Sequence, residues 1–538
     1  MPLRADFQAI RGYAAATSAV RVERSAPATA AQRGLWLTDS LSHGRNGYTV
    51  THAYELLGQL DESALVSALQ ATLDRHDALR TRFELRGDRL WQIAADRTPL
   101  DYARTDLRRS VIRRSPEQIA ADRLPEPLDL ANGTVFRTEL LTLSDTTHML
   151  LLHIHHAVND AASMAVIEKE ISDSYSGVAT TLTEAGQFWQ FNADADDVAR
   201  ARAAAFWTTE LAGLPLPADG PSDSLDDRTY GGAWASTDCT AEYLAVAQLA
   251  AELGVSPFAV LMTAMQLAVA LLTERGDNLV GTTVSVRPPG FDDVVGPFVN
   301  TVPVRLRIDP NWTAADAVAA TSRALVRILD HHEVPFDDVM PAELARRAAA
   351  APAIPISLTS NTALGPGLQL PGLSCRRLKL ESHWCQRDLA VYLTRDEDTF
   401  ALRACRSTRA FSDQSVTLLL RRITGFLAAL AACPQSPITE LGWRAPGSPA
   451  VATAIGKPTA VDGVSPTLAA VRSACAEVLD RPEAGLPDDF FDAGGGSLAA
   501  MRLAVKLRLS IRQIFRLRSA SALAKAIDER DGDNAGRS

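Results

Sequence analysis

The segment Leu150-Leu151-Leu152-His153-Ile154-His155-His156-Ala157-Val158-Asn159-Asp160 decides the fold of this chain. Its apolar first half predicts a buried β-strand over residues 148–156. Successive side chains of a strand point to opposite faces of the sheet, so the pattern predicts that His155 and His156 point in opposite directions. One of them can then face a channel while the other anchors into the protein. Asp160 follows on the turn, where it can order the backbone or pair with a cation.

Three interpretations of the two histidines are open from these residues alone. The simplest is a pair of buried, hydrogen-bonded histidines in a core strand. A metal site is the second, because His153-Ile154-His155 resembles the start of the His-x-His-x-Asp-His signature of metallo-β-lactamase-like hydrolases. Ala157 and Val158 stand at the Asp and last His positions of that signature, which argues against a metal. The third is a histidine that handles protons during acyl transfer, since histidine titrates near neutral pH.

On both sides of this strand, between residues 28 and 443, helical and strand periodicities alternate. The Arg86-Gly87-Asp88 turn predicts a hairpin. Helices are predicted at residues 59–75, 243–253 and 257–272, and strands at residues 80–85, 89–93 and 278–286. Such alternation indicates an α/β fold in which helices cover sheets.

The composition changes near the C-terminus. Residues 446–463 are rich in small residues, Pro and Gly and carry no apolar period, which predicts a linker. Beyond it the apolar residues recur at helical spacing only, which predicts a small helical bundle of roughly 70 residues. Residues 1–24 read as a loose lead-in and residues 531–538 as a tail.

Length, charge and cysteine content exclude several classes of protein. A chain of 538 residues predicts roughly three or four folding units. The formal net charge of −10 argues against nucleic acid as a partner. Six scattered cysteines without a Cys-x-x-Cys pair favour reduced thiols in a cytoplasmic protein over a disulfide framework. No run approaches about 18 apolar residues, so neither a membrane span nor a membrane partner is expected.

Segments between residues 25 and 445 resemble, in order, the core motifs of the condensation domains of nonribosomal peptide synthetases. Residues 155–161 resemble the His-His-x-x-x-Asp-Gly motif, and Arg75-His76-Asp77-Ala78-Leu79-Arg80-Thr81-Arg82-Phe83 is close to the family's second motif. The other matching segments are residues 29–36, 206–215, 281–287, 295–301, 331–337 and 387–389. Together this ordered set is far more specific than any one motif.

The resemblance implies two chloramphenicol-acetyltransferase-like lobes arranged as a V-shaped pseudo-dimer, with the N-lobe at residues 25–190 and the C-lobe at residues 191–445. It implies that His156 is the catalytic histidine, in a tunnel between the lobes that two carrier-borne substrates enter from opposite mouths. His155, Asp160 and Arg287 would support the motif structurally, with Asp160 paired to Arg287.

One residue departs from this motif, because Ala161 stands where the family has glycine. Alanine costs little there if φ is negative, and about 1 kcal/mol or more if φ is positive. The departure therefore opens an alternative in which the condensation-like fold is catalytically silent and recruits a tailoring enzyme to the attached carrier.

Ser497 follows Gly494-Gly495-Gly496 and precedes a helical pattern. A serine there is commonly an N-cap, and the spacing does not fit a dinucleotide-binding glycine motif. Residues 488–498, however, resemble the Asp-x-Phe-Phe-x-Leu-Gly-Gly-x-Ser-Leu signature of peptidyl and acyl carrier domains. That resemblance implies a four-helix carrier bundle at residues 464–530 with 4′-phosphopantetheine attached covalently to Ser497. The connection between Leu507 and Ser510 is shorter than the family's usual one.

The order condensation then carrier resembles an elongation module without an adenylation domain. The implied reaction joins an upstream carrier-bound acyl or aminoacyl thioester to an amine, or a hydroxyl, on this protein's own phosphopantetheine arm. The implied partners are the upstream carrier protein, a trans-acting adenylation enzyme and a phosphopantetheinyl transferase. An epimerisation domain shares the histidine motif but normally follows its carrier, so it ranks lower.

Overall fold

The computed structural model describes most of the chain between residues 24 and 535. Outside it lie residues 1–23, 42–47, 110–113, 124–126, 179–185, 192–196, 215–230, 343, 345–353, 362–364, 383, 386, 397, 409, 444–465, 480, 483–487, 491–492, 494–496, 511–512, 515–516 and 536–538. The expected lead-in, the 446–463 linker and the Gly494–Gly496 run therefore fall almost wholly outside the described residues.

Three sheets organise the part of the chain that the structure describes. The strands are β1 Arg24–Pro27, β2 Thr49–Gly58, β3 Thr81–Arg86, β4 Arg89–Ala94, β5 Tyr102–Asp106, β6 Phe136–Ser144, β7 Thr147–His155, β8 Gly232–Asp238, β9 Asp277–Ser285, β10 Val299–Arg307, β11 Ile356–Asn361, β12 Leu373–Leu378, β13 Leu389–Asp396 and β14 Thr399–Ser407. The first lobe's sheet has the order β12-β2-β7-β6-β5, the second lobe's sheet β10-β9-β11-β13-β14-β8, and a small sheet β1-β4-β3.

Helices cover these sheets. They are α1 Ala30–Leu41, α2 Glu62–Arg75, α3 Pro116–Ala121, α4 Ala161–Tyr175, α5 Asp197–Glu210, α6 Thr240–Leu253, α7 Pro257–Thr273, α8 Ala314–Leu329, α9 Phe336–Val339, α10 Asp413–Ala432, α11 Pro466–Val478, α12 Ser497–Leu507 and α13 Ala520–Ala535. Helix α2 begins at Glu62, later than residue 59, because the Asp61 side chain caps it by accepting from the Ala64 amide. The predicted Arg86-Gly87-Asp88 hairpin is confirmed, with Gly87 at φ +60°.

Each large sheet has its own core. In the first lobe, side chains of β2 and β7, such as Tyr54 and Leu152, pack with Leu69 of α2 and Ile167 of α4. In the second lobe the nearly all-apolar α7 is buried between the sheet and the other helices. The mixed α/β class and the two-lobe arrangement are therefore confirmed.

One strand from the range assigned to the C-lobe joins the sheet of the first lobe. Strand β12 lies within the range 191–445 that was assigned to the C-lobe, yet it pairs antiparallel with β2 at the edge of the first lobe's sheet. The sequence does not reveal this, because an amphipathic strand pattern is the same whichever sheet accepts the strand. The exchange covers an edge that would otherwise be open and ties the lobes together.

Strand alternation holds along β7 and stops one residue earlier than predicted. Leu152 and Ile154 face the core under α4, whereas Met149 and Leu151 pack in a separate cluster on the other face with Ile119. The strand ends at His155, and His156 begins a short 3₁₀ turn that runs to Val158. The direction of His156 is therefore set by a turn and not by the strand.

The carrier region is helical. Helices α11, α12 and α13 pack around Phe490, Leu503, Ile514 and Leu523. The short connection after α12 is made by Arg508, which adopts the left-handed conformation at φ +50°, and by Leu509, which is buried. A non-glycine residue held in that region costs about 1 kcal/mol or more, so the shortening carries local strain.

Among the described residues, Asp413–Ala432 is long and apolar enough to cross a membrane by length and composition. In this fold its apolar side chains, among them Leu419, Ile423 and Leu427, are buried in the second lobe's core.

Candidate active site

His156 lies on the turn between β7 and α4. Its backbone amide donates to the Tyr48 carbonyl at 2.8 Å, and its Nδ1 lies 3.4 Å from the Asn159 carbonyl oxygen. Because a carbonyl only accepts, Nδ1 carries the proton and Nε2 keeps a lone pair. Burial lowers the pKa of His156 below its ordinary value, so the ring is neutral at neutral pH. A neutral imidazole with a free Nε2 can accept a proton.

The side chain of His155 is hydrogen-bonded to the backbone of that turn. Its side chain is buried, and its Nδ1 accepts the Ala157 amide at 3.0 Å. In the neutral ring the proton then resides on Nε2, which lies 3.5 Å from Asp39 Oδ1 on α1. His155 therefore contacts the backbone of the turn on one side and a carboxylate on the other, as a structural neighbour of His156.

Asp160 is the N-cap of α4 and is fully engaged. Its Oδ1 accepts the Ser163 amide at 2.7 Å, and its Oδ2 accepts the Phe298 amide at 3.0 Å. Arg287 Nη2 lies 3.0 Å from Oδ1 and 3.2 Å from Oδ2. The predicted pairing of these two charges is thus present in the structure, and it joins the first lobe to the second.

The Arg287 guanidinium is held through both of its terminal nitrogens. Its Nη1 donates to the carbonyls of Phe291 at 2.8 Å and Val294 at 2.5 Å, and its Cζ lies 4.1 Å from the centre of the Phe298 ring. The Ser163 hydroxyl accepts from the same guanidinium at 3.1 Å. Arg287 therefore fixes the segment of the second lobe that faces the His156–Val158 turn.

Ala161, the departure from the family motif, is the first residue of α4. It lies in the helical region and is not among the described residues with positive φ. An alanine in that conformation costs nothing relative to glycine, and it favours the helix. The substitution therefore leaves the catalytic turn undisturbed.

Four titratable groups from the two lobes are desolvated although they keep accessible surface. His52, His156 and Tyr392 keep accessible surface, and Asp337 is exposed by surface area. Burial nevertheless lowers the pKa of His52 to about 3, and it raises the pKa of Asp337 and of Tyr392. Accessible surface combined with desolvation means that these groups face an interior space and not bulk solvent. The tunnel around His156 that the resemblance implies stays a prediction.

Gln32 was not singled out from the sequence, although it lies within the first motif. The amide of its side chain donates from Nε2 to the Ala157 carbonyl at 3.2 Å and to Gln92 Oε1 at 3.3 Å. Its Oε1 accepts the Thr29 amide at 2.9 Å. The same helix, α1, thereby contacts the catalytic turn at Gln32 and again at Asp39.

The outer side of α1 carries the carrier bundle. Leu37 is buried within the carrier's apolar core, and Trp36 packs against both that core and the first lobe. Arg502 of α12 pairs with Asp88 of the β3–β4 hairpin at 3.1 Å. The carrier is therefore in contact with the helix that supports the catalytic turn.

Ser497 is the first residue of α12, and the preceding Phe490 and Ala493 are buried. The first amides of a helix lack partners within it, and they stabilise an anionic phosphate. This position therefore fits a phosphodiester-linked 4′-phosphopantetheine. Within the described residues, no group of three or more His, Cys, Asp or Glu could hold a metal ion.

Comparison with known proteins agrees with this geometry. The Condensation domain family matches residues 22–446, and the Phosphopantetheine attachment site family matches residues 469–527. Tyrocidine synthase 2 of Brevibacillus parabrevis is 26% identical over 430 residues, which cover 77% of this chain and 12% of that synthetase. The chain thus spans a small part of such a relative.

Two solved structures share the fold. The holo form of AB3403, a four-domain nonribosomal peptide synthetase bound to AMP and glycine, has a TM-score of 0.68 and 16% identity, covering 79% of this chain and 34% of that one. The X-domain in its complex with OxyB from teicoplanin biosynthesis has a TM-score of 0.64 and 23% identity, covering 79% of this chain and 97% of that one.

Condensation domains are acyltransferases that form amide bonds in nonribosomal peptide synthesis, and carrier domains of this kind bear covalent 4′-phosphopantetheine. On these matches, and with the two lobes and the helical bundle described above, the chain belongs to the condensation domain family of nonribosomal peptide synthetases and carries a phosphopantetheine attachment domain.

Proposed function

We propose that this chain joins an acyl or aminoacyl group, delivered as a thioester by an upstream carrier protein, to an amine on its own arm at Ser497. A hydroxyl acceptor, giving an ester, is the close variant. In this proposal His156 is the catalytic residue, and His155, Asp160 and Arg287 support it.

The observation that carries the proposal is the double role of α1. Leu37 and Asp39 are two residues apart, so they point about 200° apart around the helix. Leu37 contacts the carrier and Asp39 contacts His155. Only one helix, about 10 Å thick, therefore separates the carrier from the catalytic turn. The carrier thus lies where a flexible arm has a short path to His156.

His156 has the properties that the reaction needs. An acceptor amine reacts only when unprotonated, and Nε2 of a neutral imidazole can take its proton. A base in that position typically contributes about 10²–10⁴-fold to the rate. Holding the two reactants together contributes more, up to about 7–11 kcal/mol of the barrier.

Asp160 and Arg287 act on the position of His156 and not on the reacting atoms. The carboxylate caps α4, which begins five residues after His156, and the guanidinium holds the opposite lobe against it. Both charges are almost fully buried and paired, so they are held rigidly. They keep the lobes in register beside the turn that begins at His156.

Covalently bound at Ser497, 4′-phosphopantetheine supplies the thiol on which the acceptor is carried. In this proposal a trans-acting adenylation enzyme would load that thiol with the acceptor. A phosphopantetheinyl transferase would attach the arm. The six cysteines are free in the structure, in keeping with a cytoplasmic location.

Intact-protein mass spectrometry tests the proposal. The full chain, with the arm attached and an aminoacyl group loaded, is mixed with a separate acyl-loaded upstream carrier. The expected result is the mass of the acyl group gained by this chain and lost by the other carrier. His156→Ala should lower the rate by at least about 10²-fold, and Ser497→Ala should accept nothing.

A matched control separates catalysis from folding. His148 lies at the other end of β7, about 25 Å from His156 along the strand. His148→Gln should transfer at close to the original rate. If His156→Ala folds normally and transfers the acyl group at the rate of the unaltered chain, His156 is not the catalytic residue.

A silent recruitment domain is the second candidate, and one observation favours it. The teicoplanin X-domain, which shares this fold, was solved in complex with OxyB. The mass-spectrometric experiment discriminates between the two, because a recruitment domain would transfer no acyl group and would instead bind a tailoring enzyme tightly.

A further inference from the structure

His52 lies in an unusual position on the first lobe's sheet. Three residues on the same face of the sheet are fully buried beneath α4. They are Tyr54 on the same strand and Leu152 and Ile154 on the neighbouring strand β7. His52 alone among them keeps accessible surface, although burial lowers its pKa to about 3. The accessible surface of His52 therefore borders an interior space, called the void below, on the face of β2 that carries Tyr54.

A polar wall borders that void. Tyr54 Oη donates to Glu168 of α4, and the Arg377 guanidinium of β12 donates to both oxygens of the same carboxylate, to Oε2 at 2.5 Å. Glu168 is buried, whereas a quarter of the Arg377 side chain is accessible. Arg377 opposes Tyr54 in the β12–β2 register, which puts the guanidinium on the face that carries His52.

The wall is electrically neutral but has hydrogen-bonding capacity left over. The charges of Arg377 and Glu168 cancel, and burial raises the pKa of Tyr54 so that its hydroxyl stays protonated. Within the described residues, no protein group is hydrogen-bonded to the imidazole of His52, and a quarter of the Arg377 side chain stays accessible beside its bonds to Glu168. Buried polar groups are normally satisfied, so these groups await a partner.

The void lies on the far side of His156 from the carrier. His52 opposes Leu152 in the β2–β7 register, three residues before His155, so it lies back along the strand pair from the turn that Gln32 of α1 contacts. A Cβ on Gly34 of α1 would lie 3.2 Å from Asp337 Oδ2, so Asp337 marks the carrier side. The void beside His52 therefore faces the substrate that does not come from this chain's own arm.

We propose that His52 and Arg377 form the polar end of the acyl-donor pocket and select donors whose side chain carries an uncharged hydrogen-bonding group, a carboxamide or a hydroxyl. The inference rests on the proposed function, because it assigns the void to the donor of that reaction.

The chemistry of the wall excludes the other classes. A carboxylate on the donor side chain would be repelled by Glu168, and an ammonium group would be repelled by Arg377. Because these two residues are already paired with each other, neither donor charge would be compensated in the site. An apolar donor would leave the imidazole and the guanidinium desolvated without partners, at a cost of about 1–3 kcal/mol. A carboxamide or hydroxyl can both donate to the imidazole and accept from the guanidinium.

Donor competition tests the inference. The full chain, with a loaded arm, receives equimolar upstream carriers bearing isosteric aminoacyl groups, asparaginyl against leucyl, glutaminyl against methionyl, and threonyl against valyl. Products are quantified by mass spectrometry. The expected result is that the polar member of at least one pair is preferred about tenfold or more. His52→Leu should abolish or invert that preference while still transferring the apolar donors.

His52→Asn is the matched variant, because it keeps a hydrogen-bonding side chain and should retain most of the preference. Thermal unfolding of both variants checks the fold. If the unaltered chain transfers both members of every pair at equal rates, the inference is wrong and the proposed function still stands. A preference that persists in a folded His52→Leu variant overturns it as well. Absence of transfer for every donor overturns the proposed function and this inference together.

Discussion

Arg287 Nη2 lies 3.0 Å from Asp160 Oδ1, and this contact joins the two lobes directly behind the catalytic turn. Asp160 caps the helix that follows the turn, while Arg287 orders a segment of the second lobe through the Phe291 and Val294 carbonyls. One ion pair thereby joins the two lobes beside the turn that begins at His156.

Removing one partner of this pair should harm stability as well as turnover. Asp160→Ala leaves the Arg287 charge buried and unpaired, which typically costs about 3–5 kcal/mol. Thermal unfolding, measured beside acyl transfer, should show a lowered midpoint. Arg327→Ala breaks the more exposed pair with Glu210 and should cost less than about 1 kcal/mol. An unchanged melt with lost turnover in Asp160→Ala would instead indicate a direct role in the chemistry.

The transfer rate should depend on pH through His156. Burial lowers the pKa of its imidazole, so Nε2 stays unprotonated at pH values where an ordinary histidine is charged. The fall in rate that belongs to His156 should therefore lie below about pH 6.5, the ordinary histidine value, and be separate from the fall caused by protonation of the acceptor amine near pH 8. Single-turnover rates of the full chain between pH 5 and 9 measure this limb. The pH dependence due to His156 should be absent from the residual rate of His156→Ala. If the same fall in rate is still seen in that variant, it belongs to another group.

Asp39 should act on the turn through His155. His155 Nε2 is buried without a hydrogen-bond partner, and Asp39 Oδ1 lies 3.5 Å from it, so loss of the carboxylate removes this electrostatic contact. Asp39→Leu should lower kcat about tenfold, the effect of about 1.4 kcal/mol, with little change in KM for the donor carrier. Asp39→Asn keeps an acceptor oxygen and should restore most of the rate. A change confined to KM would contradict a positioning role.

The carrier contact should control the use of the tethered acceptor. Leu37→Glu puts a charge into the apolar contact between α1 and the carrier. It should slow transfer to the arm at Ser497 by about tenfold or more, since burying an unpaired charge is costly, while transfer to a free aminoacyl-pantetheine thioester stays unchanged. Arg502→Ala removes a half-exposed ion pair and should cost less than about fivefold. Equal slowing with both acceptors would mean that Leu37 supports the lobe itself.

Much of the site was predictable because its residues belong to short, ordered motifs. His155, His156 and Asp160 lie within six residues, and Arg287 stands at the expected place in a second motif. The positions of β7, α2, α7 and the 86–88 hairpin, though not every end residue, also follow from periodicity and turn residues. Local preferences, which depend on neighbours in the chain, are sufficient for such features.

Other parts of the site have no local signal. Strand β12 joins the first lobe although its sequence neighbours belong to the second, and Gln32 and Asp39 reach the catalytic turn from more than 100 residues away. His52 reads as an ordinary strand residue until α4 and β12 are packed beside it.

The sequence by itself determined the α/β class, the order of condensation and carrier regions, and the identity of the histidine and serine motifs. Only the tertiary structure decided that Ala161 begins a helix without strain, that α1 lies between the carrier and His155, and that His52 faces a void with a neutral polar wall. The physical reason is that desolvation and hydrogen-bond partners depend on which distant segments come together. The pattern of residues along one strand or helix does not contain that information.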